Sequence, residues 1–99
     1  VYCAVARSLS SPENLDKFAR IFNEQSIPLQ ERMPGFKGAY MFAKSNGEIM
    51  VLSIWDSENQ ANAWLSSPDH MGLSEQIGPL TNYAPPEVDS YDVLAYSKK

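Results

Sequence analysis

The chain has 99 residues, of which 43% are hydrophobic and 20% charged, and its formal net charge is −4. That length holds about one domain, and the mixture is that of a globular chain rather than a disordered one. Its 12 acidic residues outnumber 8 basic ones, of which only Lys98 and Lys99 are adjacent, so a phosphate backbone or an anionic membrane finds no concentrated positive footprint.

Neither nucleic acid nor membrane is therefore an expected partner. The single cysteine, Cys3, cannot close an internal disulfide, and no Cys/His set has zinc spacing. A lone thiol in an apolar run reads as a small buried side chain and points to a reducing, cytoplasmic setting. No apolar run approaches the roughly 18 residues that span a bilayer. A domain this small buries only about 60% of its unfolded surface, so self-association is the expected route to a thicker core.

Residues 1–7 are β-branched, aromatic and small, which predicts a strand. Both of its faces are mostly apolar, so a central, doubly covered position is expected. Ser11-Pro12 opens a helix, with Ser11 as N-cap and Pro12 at the first helical position. Leu15, Phe18, Phe22 and Leu29 fall on one helical face. Pro28 lacks a backbone donor and should kink or restart the helix, and Pro34-Gly35 ends it.

Residues 36–44 predict a second strand, with Phe36, Gly38, Tyr40 and Phe42 on one face and Lys37, Ala39, Met41 and Ala43 on the other. Asn46-Gly47 is a typical hairpin pair, and residues 48–55 return as a strand apolar on both faces. Ser57 and Gln60 make a capping box for a helix over 58–66 that turns Ala61, Trp64 and Leu65 inward. Ser67-Pro68 starts a short helix carrying His70, Met71, Leu73 and Ile77, which stops near Gly78-Pro79. Residues 82–86 read as a loop and 88–96 as the last strand, with Tyr91, Val93 and Ala95 on one face.

The order β-α-β-β-α-β predicts an α+β ferredoxin-like sandwich over residues 1–99, one domain. Helices cover one face of a four-stranded antiparallel sheet and leave the other bare. A bare face built from apolar strands predicts a partner, and the simplest partner is a second copy, giving a homodimer paired through its sheets.

Three stretches, Met33 to Gly38, Ser53 to Glu58 and Asn62 to His70, resemble the antibiotic biosynthesis monooxygenase family of dimeric α/β-barrel proteins. The resemblance extends over about residues 1 to 96. It implies a dimer with sheets face to face and a pocket between the sheet and helices of each subunit. Active members oxygenate electron-rich substrates without metal or flavin, the substrate itself activating oxygen, so no cofactor is expected. Others cleave haem, oxidise quinols or act on signalling molecules.

Trp64 lies at the family's recurring helix tryptophan. Its indole either walls a flat ligand and donates one hydrogen bond, or simply fills the core. His70, the only histidine, is expected in the first turn after Pro68, near the positive end of the helix dipole. That position favours a neutral imidazole able to shuttle a proton, and the bland reading is a partly exposed helix-start side chain. Anthrone-oxidising relatives carry an amide four residues before the tryptophan and a tyrosine six after it; Gln60 and His70 stand there, neither identical to the pattern. Haem-degrading relatives place a histidine ten residues after the tryptophan, where this chain has Ser74, and an asparagine on the first strand, which offers Ala4, Ala6 and Arg7. Haem cleavage ranks low on that ground.

Tyr40, Phe18, Phe22, Trp55 and Tyr91 are candidate pocket walls or core. Arg7 either holds an anionic or carbonyl oxygen or caps a solvated strand end. No Gly-rich phosphate loop or nucleophile elbow is present, and Ser67 has a sufficient role as a cap. The acidic Glu13, Asp16, Asp56 and Glu58 sit at helix starts, where the dipole explains them.

The expected function is a cofactor-free monooxygenase of a small aromatic or quinol-type substrate. Trp64 and His70 are its expected catalytic residues, and Gln60, Tyr40, Phe22, Phe18 and Arg7 its expected substrate contacts. The alternatives are a non-catalytic binding or stress-related protein of the same fold, and an isomerase or decarboxylase that turns over without oxygen.

Overall fold

The computed structural model describes residues 1–97; Lys98 and Lys99 lie outside the described residues. Strands β1 (Tyr2–Leu9), β2 (Phe36–Ala43), β3 (Glu48–Trp55) and β4 (Glu87–Asp92) form one antiparallel sheet in the order β2-β3-β1-β4. Helices α1 (Leu15–Ile21), α2 (Ile27–Glu31), α3 (Glu58–Leu65) and α4 (Pro68–Ile77) complete an α+β ferredoxin-like sandwich. The doubly apolar β1 and β3 occupy the two central positions, as their sequences require.

Cap chemistry places the helix starts. The Ser57 hydroxyl accepts from the Gln60 N–H at 3.3 Å, and the Ser67 hydroxyl accepts from the His70 N–H at 3.2 Å. Ser11 has the extended backbone of an N-cap, but its side chain makes no cap bond, and a 3-10 turn (Pro12–Asn14) precedes α1. Between α1 and α2 the helix does not break. Residues Phe22–Ser26 widen into a π turn, in which the Ile27 N–H reaches back to the Phe22 carbonyl. The wider turn absorbs the gap that Pro28, with no N–H, would leave in the helical ladder.

The β2–β3 hairpin turns at Ser45-Asn46-Gly47, where the Asn-Gly pair places it, while the sheet edges correct the sequence reading. The Gly47 N–H and the Lys44 N–H bond to the Lys44 and Glu48 carbonyls, at 3.0 and 2.8 Å, with Gly47 at φ +101°. The Ser10 N–H bonds to the Gly47 carbonyl at 2.9 Å, and a Cβ on Gly47 would overlap the Ser10 carbonyl oxygen. Gly47→Ala is therefore expected to cost about 1–3 kcal/mol of stability in urea unfolding, since strain and overlap act together. An unchanged midpoint would mean that the end of β1 moves aside freely.

In β2 the register shifts at Lys37: Phe36 pairs with Trp55 but Gly38 pairs with Ile54. The extra residue turns Phe36 to the helix side, away from Gly38, Tyr40 and Phe42 with which simple alternation groups it. There its ring meets Trp55 edge-on, with centroids 5.3 Å apart. Strand β4 ends at Asp92 rather than Tyr96, because Asp92 pairs with Tyr2 and β1 offers no partner beyond Val1. The Val93 N–H makes a last bond to the Val1 carbonyl at 2.9 Å, and Leu94 is 93% exposed.

Two core clusters fill the space between sheet and helices. Trp55, Ala61, Trp64 and Leu73 form one; Phe18, Ile49 and Leu80 form the other. The opposite sheet face carries Tyr40 and Phe42, stacked at 6.0 Å and each about half exposed, together with Leu52 and Tyr91. Arg7 lies on this face, paired with Asp89 at 2.9 Å.

Candidate functional site

A cavity of about 340 Å³ opens between the sheet and the helices, at the small end of the range for ligand pockets. It exists because the floor is built from small side chains. Ala4, Ala6 and Ser8 of β1 and Ser53 of β3 stand where bulky residues would fill the layer. Phe18, Phe22, Ser26 and Gln30 from the long helix form one wall. Trp64, His70, Leu73 and Ile77 form another, and Thr81, Tyr83 and Pro85 border the loop before β4.

The cap at Ser67 ties the two central residues together. Its hydroxyl donates to the Trp64 carbonyl at 2.7 Å while accepting from the His70 N–H. Helix α4 therefore begins one short turn after α3 ends, and His70 is held edge-on to the Trp64 indole, with ring centroids 5.4 Å apart and planes at 70°. Burial pushes the His70 imidazole below its ordinary 6.5, and the Leu65 carbonyl, which favours the charged form, offsets only part of this. The ring is neutral at pH 7 and can accept a proton. The Trp64 indole N–H has no hydrogen-bond partner among the described residues.

Among the described residues no charged side chain lines the cavity, and His70 and Tyr83 are the titratable groups on its wall. Among the described residues no three His, Cys, Asp or Glu side chains cluster closely enough to hold a metal ion. No helix among the described residues is long and apolar enough to cross a membrane. Burial pushes the Cys3 thiol up and keeps it protonated.

The structure brings His70, Trp64, Phe18 and Phe22 to one cavity, and leaves three of the expected contacts outside it. Gln60 is not on the wall: its amide lies over Gly35, where a Cβ would collide with it, and its Oε1 accepts from the Ser57 hydroxyl at 3.2 Å. The amide is thus used in packing α3 against the turn before β2. Tyr40 alternates onto the open sheet face and borders a shallower groove at the β2 edge. Arg7 alternates onto the same open face, and its charge is taken up by Asp89, with Tyr91 close by. Of the other aromatic candidates, Trp55 is fully buried and donates to the Ser53 hydroxyl at 3.0 Å, and Tyr91 lies on the open face.

Sequence reasoning missed Gln30, Ser26 and Ser53. All three are buried and line the cavity. A signal was available: Phe18, Phe22, Ser26 and Gln30 recur every fourth residue, so the two polar residues continue the stripe that the aromatics begin.

A ferredoxin-like sheet with an apolar cavity beneath its helices defines a small α+β sandwich. The antibiotic biosynthesis monooxygenase family model matches residues 1–75, and the chain belongs to that family. Strand β4 lies beyond the matched residues. No curated protein matches the sequence. Among solved structures, a monooxygenase from the ActVA-Orf6 gene of Streptomyces coelicolor, in complex with nanaomycin D, is similar at 19% identity and a TM-score of 0.82, covering 99% of this chain and 91% of that one. A protein of unknown function from Nitrosomonas europaea is similar at 17% identity and TM-score 0.80, covering 99% and 93%. Rv0793 from Mycobacterium tuberculosis is similar at 16% identity and TM-score 0.76, covering 98% of each chain. These likenesses establish the shared fold.

Proposed function

We propose that the protein is a cofactor-independent monooxygenase acting on a small aromatic or quinol-type molecule held in the cavity beside Trp64. One observation carries this reading: a neutral, half-buried His70 set edge-on to a tryptophan inside an apolar cavity. His70 takes a proton from the carbon to be oxidised. The electron-rich anion passes an electron to dioxygen, and the pair recombines to form a C–O bond. His70 returns its proton to the distal oxygen as the O–O bond breaks. One oxygen atom ends in a new carbonyl, and the other leaves as water with two hydrogens of the substrate, both from the oxidised carbon of an anthrone, or one from the ring carbon and one from the hydroxyl of a phenol. The Trp64 N–H would stabilise charge on the substrate oxygen.

Oxygen uptake with a panel of anthrones and quinols, without added metal, flavin or nicotinamide, tests the reading. Uptake that falls in Trp64→Phe is the expected result. Turnover that consumes no oxygen would replace it with the isomerase or decarboxylase reading, and binding without turnover with the binding-protein reading.

We further propose that residues 1–99 act as one domain in a cytoplasmic homodimer joined through the open sheet faces. Half-exposed Tyr40, Phe42 and Tyr91 on that face support the pairing, and the protonated, buried Cys3 supports the location. Sedimentation is expected to give twice the 11.1 kDa chain mass, and Tyr40→Glu to shift it toward monomer. A wild-type monomer at micromolar concentration would end the proposal.

A further inference from the structure

Gln30 is 1% exposed and belongs to the cavity wall, and its Oε1, itself buried just behind that wall, has no hydrogen-bond partner. Its Nε2 donates to the Ser26 hydroxyl at 3.0 Å, and this bond orients the amide. Buried polar atoms are paired in the great majority of cases, and an unpaired one marks a place where a partner is missing. Packing gives no reason for an amide here. Two earlier residues of the same stripe, Phe18 and Phe22, are aromatic, and a leucine at position 30 would bury as well without an unmet acceptor.

We propose that Gln30, oriented by Ser26, is a substrate-binding residue whose Oε1 accepts a hydrogen bond from the hydroxyl of a neutral phenol or hydroquinone. The assignment deepens the oxygenase reading and rests on it. An acceptor oxygen selects a donor, and a ring hydroxyl is the donor that an aromatic ligand of this size carries. A carboxylate brings no proton to Oε1 and finds no cation on the wall among the described residues. The same acceptor separates substrate from product. A phenol donates to Oε1; when dioxygen puts a carbonyl on the ring carbon opposite, the hydroxyl proton leaves in the water formed from the second oxygen atom, and the resulting quinone has only acceptor oxygens there and loses the bond, which favours its release.

Binding of 2-naphthol, 2-methylnaphthalene, 1,4-naphthoquinone and 2-naphthoate, followed by tryptophan fluorescence and calorimetry, tests this. Wild type is expected to bind naphthol about tenfold tighter than methylnaphthalene, the scale of one buried hydrogen bond, and to bind the quinone and the carboxylate more weakly than naphthol. In Gln30→Leu the preference for naphthol over methylnaphthalene should vanish while methylnaphthalene still binds and the melting temperature holds or rises. Ser26→Ala, which frees the amide, should reduce the preference in part. A preference that survives Gln30→Leu would place the hydroxyl elsewhere and overturn the assignment. So would a quinone that binds wild type as well as naphthol, or a melting temperature that collapses in Gln30→Leu while the preference stays in Ser26→Ala. If wild type binds both neutral rings equally, the Gln30 assignment alone fails. If it binds neither, the aromatic-site reading of the cavity fails as well.

Discussion

Replacing His70 with alanine is expected to lower turnover by about 10²- to 10⁴-fold, the usual contribution of a positioned acid–base group, with ligand binding retained. Added imidazole should restore part of the rate, which a purely structural role for the ring would not allow. The pH profile carries a second signature. Because burial holds the folded His70 pKa below 6.5, the imidazole is free to accept a proton at every pH above that lowered value. The wild-type rate should therefore fall as pH drops through a midpoint below 6.5, and His70→Ala should lose that limb. A midpoint above 6.5 would contradict the burial of the ring. Stability follows the same sign. Below 6.5 the unfolded chain takes up a proton that the folded protein resists, so the contribution of neutral His70, present above 6.5, is lost as pH falls toward the folded value.

Trp55→Ala should be the most damaging core substitution, at about 3–5 kcal/mol. The indole is fully buried, meets Phe36 edge-on at 5.3 Å and donates to the Ser53 hydroxyl at 3.0 Å. Its removal empties the centre of one core cluster and leaves the Ser53 hydroxyl, part of the cavity floor, without its donor. Chemical unfolding is the measurement. A loss of about 1 kcal/mol or less would mean that Tyr2 and Phe36 collapse into the space.

Both results depend on features of unequal visibility in the chain. The capping serines at 57 and 67, the apolar strands and the inward face of α3 could be read directly, because a cap or a period is a relation between neighbours a few residues apart. The bulge at Lys37 could not, since an extra residue in a strand is defined only by the partner strand it fails to match. The same gap hid the true placement of Arg7 and Tyr40. Each alternates onto the open face once pairing is known, and the cavity lies on the other.

Local pattern therefore determined the element order, the ferredoxin-like fold and the position of His70 in the first turn of α4, because these follow from caps, turns and hydrophobic periods along the chain. Tertiary structure alone decided that Ala4, Ala6, Ser8 and Ser53 open a void and that Gln60 packs over Gly35. It alone put Gln30, polar enough to pass for a solvated side chain, on the cavity wall with a buried, unpaired amide oxygen. A cavity is the space that several elements fail to fill together, and no single stretch of sequence carries that information.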